Sequence, residues 1–295
     1  MIAAFAHTRR MTPNAPQRAL PTLFLSHGSP MIAIEPGEAG AFMRRLGTRI
    51  DATFGRPQAI VVMSPHTSSR IPQVMAAERH TTLHDFGGFP PALYALRYDA
   101  PGDVARARQV MVLLKQAGID ADMSSPGGLD HGIWTVLMHL YPGCDVPVVP
   151  VSLTPRSTPA QLMAMGSALS TLRQDGVLVV GSGSLTHNLQ RFFHRPTPVD
   201  AHEEADSAAF RAWVAQQTVA GDWPALLDYR HQAPHAVAMH PTDEHWLPFY
   251  LAAGAACEAG EACPHQALRL HGSVAHGHLA MDAYGFGEDA ELLRE

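Results

Sequence analysis

The segment Ile60-Val61-Val62-Met63-Ser64-Pro65-His66 runs from a β-branched apolar stretch into a histidine, and two other segments repeat that arrangement. Leu23-Phe24-Leu25-Ser26-His27 does so directly, and Leu178-Val179-Val180-Gly181 leads on to His187. The strand ends of an open parallel sheet converge on one crevice, where side chains far apart in sequence meet. Neutral imidazole is also the commonest metal ligand in proteins. The pattern therefore predicts a histidine-lined metal site at the strand ends.

Apolar strand segments alternate with helical segments along the chain. We predict strands over residues 22–26, 59–64, 146–152 and 177–181, and helices over 39–48, 103–117 and 159–173. Further helices are predicted over 201–217, 223–229 and 247–256, which makes the second half mostly helical. Near-continuous apolar strands separated by helices are typical of a parallel sheet covered on both faces. The predicted fold is α/β, a single domain with a central, mostly parallel sheet flanked by helices.

The composition is that of a globular protein. The chain has 295 residues, of which 46% are hydrophobic and 16% are charged, enough apolar material for a sizeable core. Residues 1–20 lack periodicity and include Pro13 and Pro16, so we expect a flexible N-terminal leader there. One ordered domain is expected over residues 21–295.

Charge, hydropathy and cysteine spacing limit the class of partner. The net charge is −6 and no dense Lys/Arg patch is present, which argues against nucleic acid. The longest late apolar run, residues 247–257, is too short for a membrane span and contains Pro248 and Gly254. The three cysteines form neither a Cys-x-x-Cys pair nor an even framework, and the N-terminus lacks the charge order of a secretory signal. We therefore expect a cytoplasmic protein with no membrane partner.

Several familiar motifs are incomplete in this chain. Gly181-Ser182-Gly183 lacks the third glycine of the dinucleotide fingerprint, and no Gly-x-Ser-x-Gly elbow of a serine hydrolase occurs. His202-Glu203 begins like a zinc-protease helix, but Asp206 stands where the second histidine belongs.

Five histidine-bearing segments remain. They are His27-Gly28-Ser29-Pro30, Ser64-Pro65-His66, Leu129-Asp130-His131-Gly132, Leu185-Thr186-His187-Asn188-Leu189 and His240-Pro241-Thr242-Asp243-Glu244-His245. One such histidine alone is more often structural than functional, but five together favour a site. Asn188 or Asp130 is available to fix a ring tautomer through a hydrogen bond.

These segments resemble one family, the class III extradiol ring-cleavage dioxygenases, in the branch of 4,5-DOPA dioxygenase type. The resemblance covers about Pro21 to His271. It also includes His-Asp-Phe-Gly-Gly-Phe-Pro at 84–90 and Pro-Thr-Asp-Glu-His at 241–245. Each motif alone is weak, whereas the combination is specific.

The resemblance implies a ligand set and a catalytic residue. His27, His66 and His245 would hold the metal, with His187 as a fourth ligand or a close base, and His131 would be the acid/base residue. Relatives that cleave protocatechuate use a glutamate as the third protein ligand. Glu244 adjoins His245, so a shift of one residue would give a facial triad of two histidines and one carboxylate.

The implied reaction is cleavage of a catechol-type aromatic diol by dioxygen, with ferrous iron as the active metal. Zinc competes for histidine sites, and we expect it to occupy this one without supporting oxygen chemistry. Two alternatives remain open, a zinc-dependent hydrolase and a catalytically silent metal-binding relative of the same fold. The sequence identifies neither the natural catechol nor the oligomeric state. Trp134, Trp246 and the loop from His80 to Phe89 are candidate pocket walls without an assigned role.

Overall fold

The computed structural model describes residues 18–257 and 267–295. Residues 1–17 of the expected leader lie outside this part of the chain. Leu20 is 2% exposed, and its amide donates to the carbonyl oxygen of Arg173 over 3.2 Å. Leu20, inside the expected leader, is therefore packed against the fold.

Twelve strands occur in the described residues. They are β1 Thr22–Ser26, β2 Ala59–Met63, β3 Gln73–Met75, β4 Thr81–Thr82, β5 Asp122–Ser124, β6 Gly128–Leu129, β7 Val148–Pro150, β8 Val177–Gly183, β9 Leu268–His271, β10 Val274–Ala275, β11 Leu279–Ala280 and β12 Ala283–Phe286.

Eleven α-helices occur in the same part of the chain. They are α1 Gly37–Phe54, α2 Pro91–Ala95, α3 Val104–Gln116, α4 His131–Leu140, α5 Pro159–Ala168, α6 Leu189–His194, α7 Ala205–Ala220, α8 Trp223–Leu227, α9 Tyr229–Gln232, α10 Ala236–Met239 and α11 Pro248–Ala255. Short 3-10 helices cover Pro30–Ala33, Ser170–Arg173 and Glu288–Leu293.

The central sheet has six strands in the order β7-β2-β8-β1-β12-β9. The first four are parallel, while β12 runs antiparallel to β1 and β9 antiparallel to β12. Strands β2, β8 and β1 are neighbours, so their carboxyl ends lie side by side. The α/β fold with a mostly parallel sheet is confirmed.

Both faces of the sheet are covered, which explains why the four parallel strands β7, β2, β8 and β1 are buried at every position. Along β2, Ala59, Val61 and Met63 enter one hydrophobic cluster, while Ile60 and Val62 enter the other. Helix α11 packs on β8 and β1 on one side, and α1 and α4 pack together on the other.

The predicted elements match the structure with a few differences. Asp103 caps α3 as expected, with its carboxylate accepting from the Arg106 amide. The predicted helix over 159–173 is α5 followed by a 3-10 turn, because Leu169 ends the α-helical hydrogen bonding. Helices α2, α4, α6 and α10 and strands β3 to β6 were not predicted, and neither were strands β9 to β12. These strands have only two to four residues and are separated by Gly272 and Gly277, so they show little periodicity.

Candidate metal centre

Two of the predicted histidines lie at the ends of β1 and β2, the two parallel strands that flank β8. His27 follows β1 directly, and its amide donates to the carbonyl oxygen of Gly183 over 2.9 Å, which continues the pairing with β8. His66 follows β2 after the Ser64-Pro65 turn. The Nε2 atoms of His27 and His66 are 3.1 Å apart.

The other two predicted ligands form a stacked pair. His187 lies four residues beyond β8, and its amide donates to the Met239 carbonyl oxygen over 2.9 Å. The carbonyl oxygen of His245 accepts from the Ser184 amide over 2.9 Å, which fixes the turn before α11 against the end of β8. The two rings are parallel, with centroids 3.4 Å apart and planes 8° apart.

The strand-end imidazoles and the stacked pair belong to one cluster. Ring centroids are 5.4 Å apart for His27 and His245, 5.0 Å for His66 and His245, and 3.8 Å for His66 and His131. The structure thus brings all five predicted site histidines together at the carboxyl edge of the sheet.

Ser182 fixes the orientation of His27. The Ser182 hydroxyl donates to the carbonyl oxygen of Gly132 over 2.5 Å, so it accepts from Nδ1 of His27, which lies 3.0 Å away. His27 therefore carries its proton on Nδ1, and the lone pair of Nε2 points towards His66. Hydrogen bonds of this kind set the tautomer of metal-ligating histidines.

Gly132 is the point of closest approach between α4 and the histidines. A Cβ at this position would lie 2.4 Å from Ser64 Oγ, 3.0 Å from His66 Cδ2 and 3.1 Å from His27 Cε1. Only glycine lets the first turn of α4 pack this closely on both rings. Sequence reasoning did not assign a role to Gly132 or to Ser182.

Four of the five imidazoles, those of His27, His66, His187 and His245, are unprotonated at neutral pH. Burial first, then the neighbouring imidazoles, holds the pKa of His27 and of His245 well below the ordinary histidine value. Burial lowers the pKa of His66 and of His187 to about 4. Desolvation disfavours the charged form, so these rings are in the unprotonated state that binds metal ions.

His131 is held differently from the other four. It is the first residue of α4 and is 7% exposed. Its Nδ1 lies 3.0 Å from Asp85 Oδ2, and its amide donates to Asp85 Oδ1 over 2.9 Å. Burial alone raises the pKa of the Asp85 carboxyl, but the hydrogen bonds and charge of His131 outweigh it and lower that pKa overall. Asp85 is a site residue that sequence reasoning missed, although it lies inside the quoted motif at 84–90.

Aromatic side chains border His131 on the Asp85 side. The Phe86 ring is edge-on to His131 with centroids 5.6 Å apart, and it also contacts Phe89 and Tyr94 at 5.3 Å each. The loop is thus both packed and adjacent to the histidines. Trp134 and Trp246 are fully buried, and the Trp134 indole donates to the Leu83 carbonyl oxygen.

Two residues expected to orient a ring bind other groups instead. Asp130 accepts from Ser64, Thr67 and the Ile133 amide, which ties the end of β2 to the start of α4. Asn188 caps α6 and donates to the Ala238 carbonyl oxygen. Tertiary packing instead places Ser182 beside Nδ1 of His27 and Asp85 beside Nδ1 of His131.

The donor set fits a metal ion. Both ring nitrogens of His245 are buried and have no hydrogen-bond partner among the described residues. An ion about 2.1 Å from each of two imidazole nitrogens places those nitrogens roughly 3.0 to 3.4 Å apart, which agrees with the 3.1 Å between His27 and His66. Glu244 Oε1 lies 3.5 Å from His245 Nδ1 and accepts from the Thr242 hydroxyl, so the carboxylate is at the margin of the cluster.

Comparison with known proteins agrees with this geometry. A family model described as the catalytic LigB subunit of aromatic ring-opening dioxygenase matches residues 21–279. The chain belongs to the class III extradiol dioxygenase family. This confirms the family predicted from the histidine motifs, and the protein is an aromatic ring-opening dioxygenase that acts with dioxygen.

Curated relatives cover most of the dioxygenase. A 4,5-DOPA dioxygenase extradiol of Beta vulgaris is 33% identical over 268 residues, covering 90% of this chain and 96% of the relative. A protein of the same name from Escherichia coli (strain K12) is 36% identical over 237 residues, 80% of this chain and 85% of the relative. The crystal structure of an uncharacterized protein from Escherichia coli K12 matches 92% of this chain and 100% of its own, with a TM-score of 0.70 and 30% identity.

Helices that cross a bilayer need about 20 consecutive, mostly apolar residues. Within residues 18–257 and 267–295, no helix combines the length and apolar character that a membrane span needs.

Proposed function

We propose that this protein is a non-haem, metal-dependent extradiol dioxygenase that cleaves the ring of a catechol-type substrate. The observation that carries the proposal is the meeting of five imidazoles from separate segments, four of which have pKa values lowered by burial. The names of the 4,5-DOPA relatives also support a catechol as the substrate class.

The proposed ligands are His27, His66, His187 and His245, with ferrous iron as the active metal and zinc as a competitor for the same site. Ferrous iron would supply the redox chemistry that lets dioxygen react with a ring carrying two adjacent oxygens. Neutral ligands leave the ion its full positive charge, which favours a deprotonated diol. Glu244 is the alternative ligand to His245, because its carboxylate offers an oxygen within 4.8 Å of ligand nitrogens of His187 and His245.

His131 is the proposed acid/base residue. Its Nδ1 is bound to Asp85, so its Nε2 is the nitrogen that takes a proton from the diol and returns it later. General acid–base groups typically contribute about 10²- to 10⁴-fold to a rate. His131→Phe should lower turnover by that range while metal content stays near that of the wild type. Loss of metal in this variant would place His131 among the ligands, since its ligand nitrogen lies within 4.8 Å of those of His27 and His66.

The test of the reaction is reconstitution with ferrous iron under anaerobic conditions, followed by air and a panel of catechols. We expect oxygen uptake and a yellow ring-opened semialdehyde. The zinc-loaded protein should show neither, because zinc does not exchange electrons with dioxygen. Ester or amide hydrolysis by the zinc form without catechol turnover would favour a hydrolase. Inactivity of both forms would favour a silent relative.

A further inference from the structure

Asp85 makes two different contacts with one residue. Its Oδ1 accepts from the backbone amide of His131 at 2.9 Å, and its Oδ2 lies 3.0 Å from the Nδ1 of the same residue. The same Oδ2 is 3.9 Å from Nδ1 of His66. Asp85 comes from the loop between β4 and α2, whereas His131 begins α4, so the contact joins two separate parts of the site.

We propose that Asp85 is the positioning residue of this site, which holds His131 as the Nδ1–H tautomer and leaves Nε2 free to accept a proton. The inference rests on the proposed function, in which His131 exchanges a proton with the aromatic diol. An ionised carboxylate only accepts hydrogen bonds. A ring nitrogen at 3.0 Å from it therefore carries the hydrogen, and the other nitrogen carries the lone pair.

The two contacts of Asp85 have separable purposes. The amide contact places a negative charge at the N-terminus of α4. A charge there contributes modestly to the stability of the folded helix. The ring contact has no such purpose, because His131 is already fixed in the chain by its helix. The Asp85 side chain is 27% exposed, and ion pairs that open to solvent add little stability. We therefore assign the ring contact to catalysis, because it keeps the hydrogen of the His131 ring on Nδ1.

Asp85→Asn separates these purposes. The asparagine oxygen still accepts from the His131 amide, while its NH₂ group faces Nδ1 and can only donate. The ring must then accept at Nδ1 and carry its proton on Nε2, the wrong nitrogen for a base. We expect kcat on a catechol to fall by at least about 10²-fold, the lower limit for a general base. The KM, the ferrous and zinc affinities and the melting temperature should stay close to the wild-type values.

The tautomer itself is measurable without turnover. In zinc-loaded protein labelled with ¹⁵N-histidine, the wild-type His131 should show a protonated Nδ1, and the Asp85→Asn variant a protonated Nε2. The matched control is Asp228→Asn, because Asp228 Oδ1 pairs with His231 Nδ1 at 2.6 Å on the surface, with side chains 49% and 84% exposed. This control should leave kcat and the His131 signals unchanged.

Each outcome decides the matter. A wild-type kcat, or an unchanged His131 tautomer, in Asp85→Asn overturns the proposal. Loss of metal in that variant also overturns it, because Asp85 would then act on the ligands through His66. If the wild type turns over no catechol but the tautomer switches as expected, the proposed function fails while the positioning role of Asp85 stands.

Discussion

The rings of His187 and His245 lie face to face, with centroids 3.4 Å apart and planes only 8° apart. The lone pair of an imidazole nitrogen lies in the ring plane. Two rings stacked in this way therefore direct their lone pairs along parallel planes rather than towards one point. For both to bind one ion about 2.1 Å away, one ring must turn. His245 is only 5% exposed, so we expect the less buried His187 to be the ring that turns.

This stacking predicts unequal contributions to metal affinity. His245→Ala should weaken zinc or ferrous binding by more than roughly 100-fold, beyond the range for groups outside the ligand shell. His187→Ala should cost only about 10- to 100-fold, because the ring must leave its stack to bind. Chelator competition on the metal-free proteins measures both values. Equal losses would show that His187 and His245 are equivalent ligands.

His27, His66 and His187 could be predicted from sequence because each follows an apolar strand segment, whereas the roles of His131 and His245 came from the family resemblance. His27 and His66 follow apolar strands within three residues, and parallel strand ends meet at one edge of a sheet. The order β2-β8-β1 places these ends beside one another. The apolar pattern of each strand was therefore sufficient to predict that His27 and His66 lie at the same edge of the sheet.

The residues that orient the rings could not be predicted in the same way. Ser182 lies opposite Leu25 in the register of β8 and β1, so its contact with His27 depends on strand pairing. In the sequence it belongs only to an incomplete glycine fingerprint. Asp85 reaches His131 across 46 residues through a loop without periodicity. The strands β9 to β12 were missed because they have only two to four residues and form through pairing with other strands.

Replacement of Ser182 tests the orientation of His27. Ser182→Ala leaves Nδ1 of His27 and the Gly132 carbonyl oxygen without their partner. We expect metal affinity to fall by about 10- to 100-fold and the free energy of unfolding to fall by about 1 to 3 kcal/mol. The control is Ser273→Ala, since Ser273 Oγ makes a similar contact at 2.8 Å with His271 outside the cluster. Unchanged metal affinity in Ser182→Ala would mean that packing alone orients His27.

Crowding at Gly132 gives a further test. Gly132→Ala places a methyl group 2.4 Å from Ser64 Oγ and within 3.1 Å of both His66 and His27. Overpacking of this kind typically costs about 1 to 3 kcal/mol, and here the displaced atoms belong to two proposed ligands. We expect a lower melting temperature together with a loss of bound metal. In Gly87→Ala, where a Cβ meets nothing within 4 Å, both quantities should remain as in the wild type.

Acid should destabilise the metal-free protein through its buried imidazoles. Burial lowers the pKa of His187 to about 4, whereas an unfolded histidine titrates near about 6.5. Between these values the unfolded chain binds more protons, so the free energy of unfolding falls as the pH drops from about 6.5 to about 4, by up to about 1.4 kcal/mol per pH unit for one histidine. Denaturant unfolding of the metal-free protein at pH 7 and pH 5 measures this slope. His187→Gln should reduce it by the equivalent of one proton. An unaltered slope in His187→Gln would show that this imidazole is not desolvated in the folded protein.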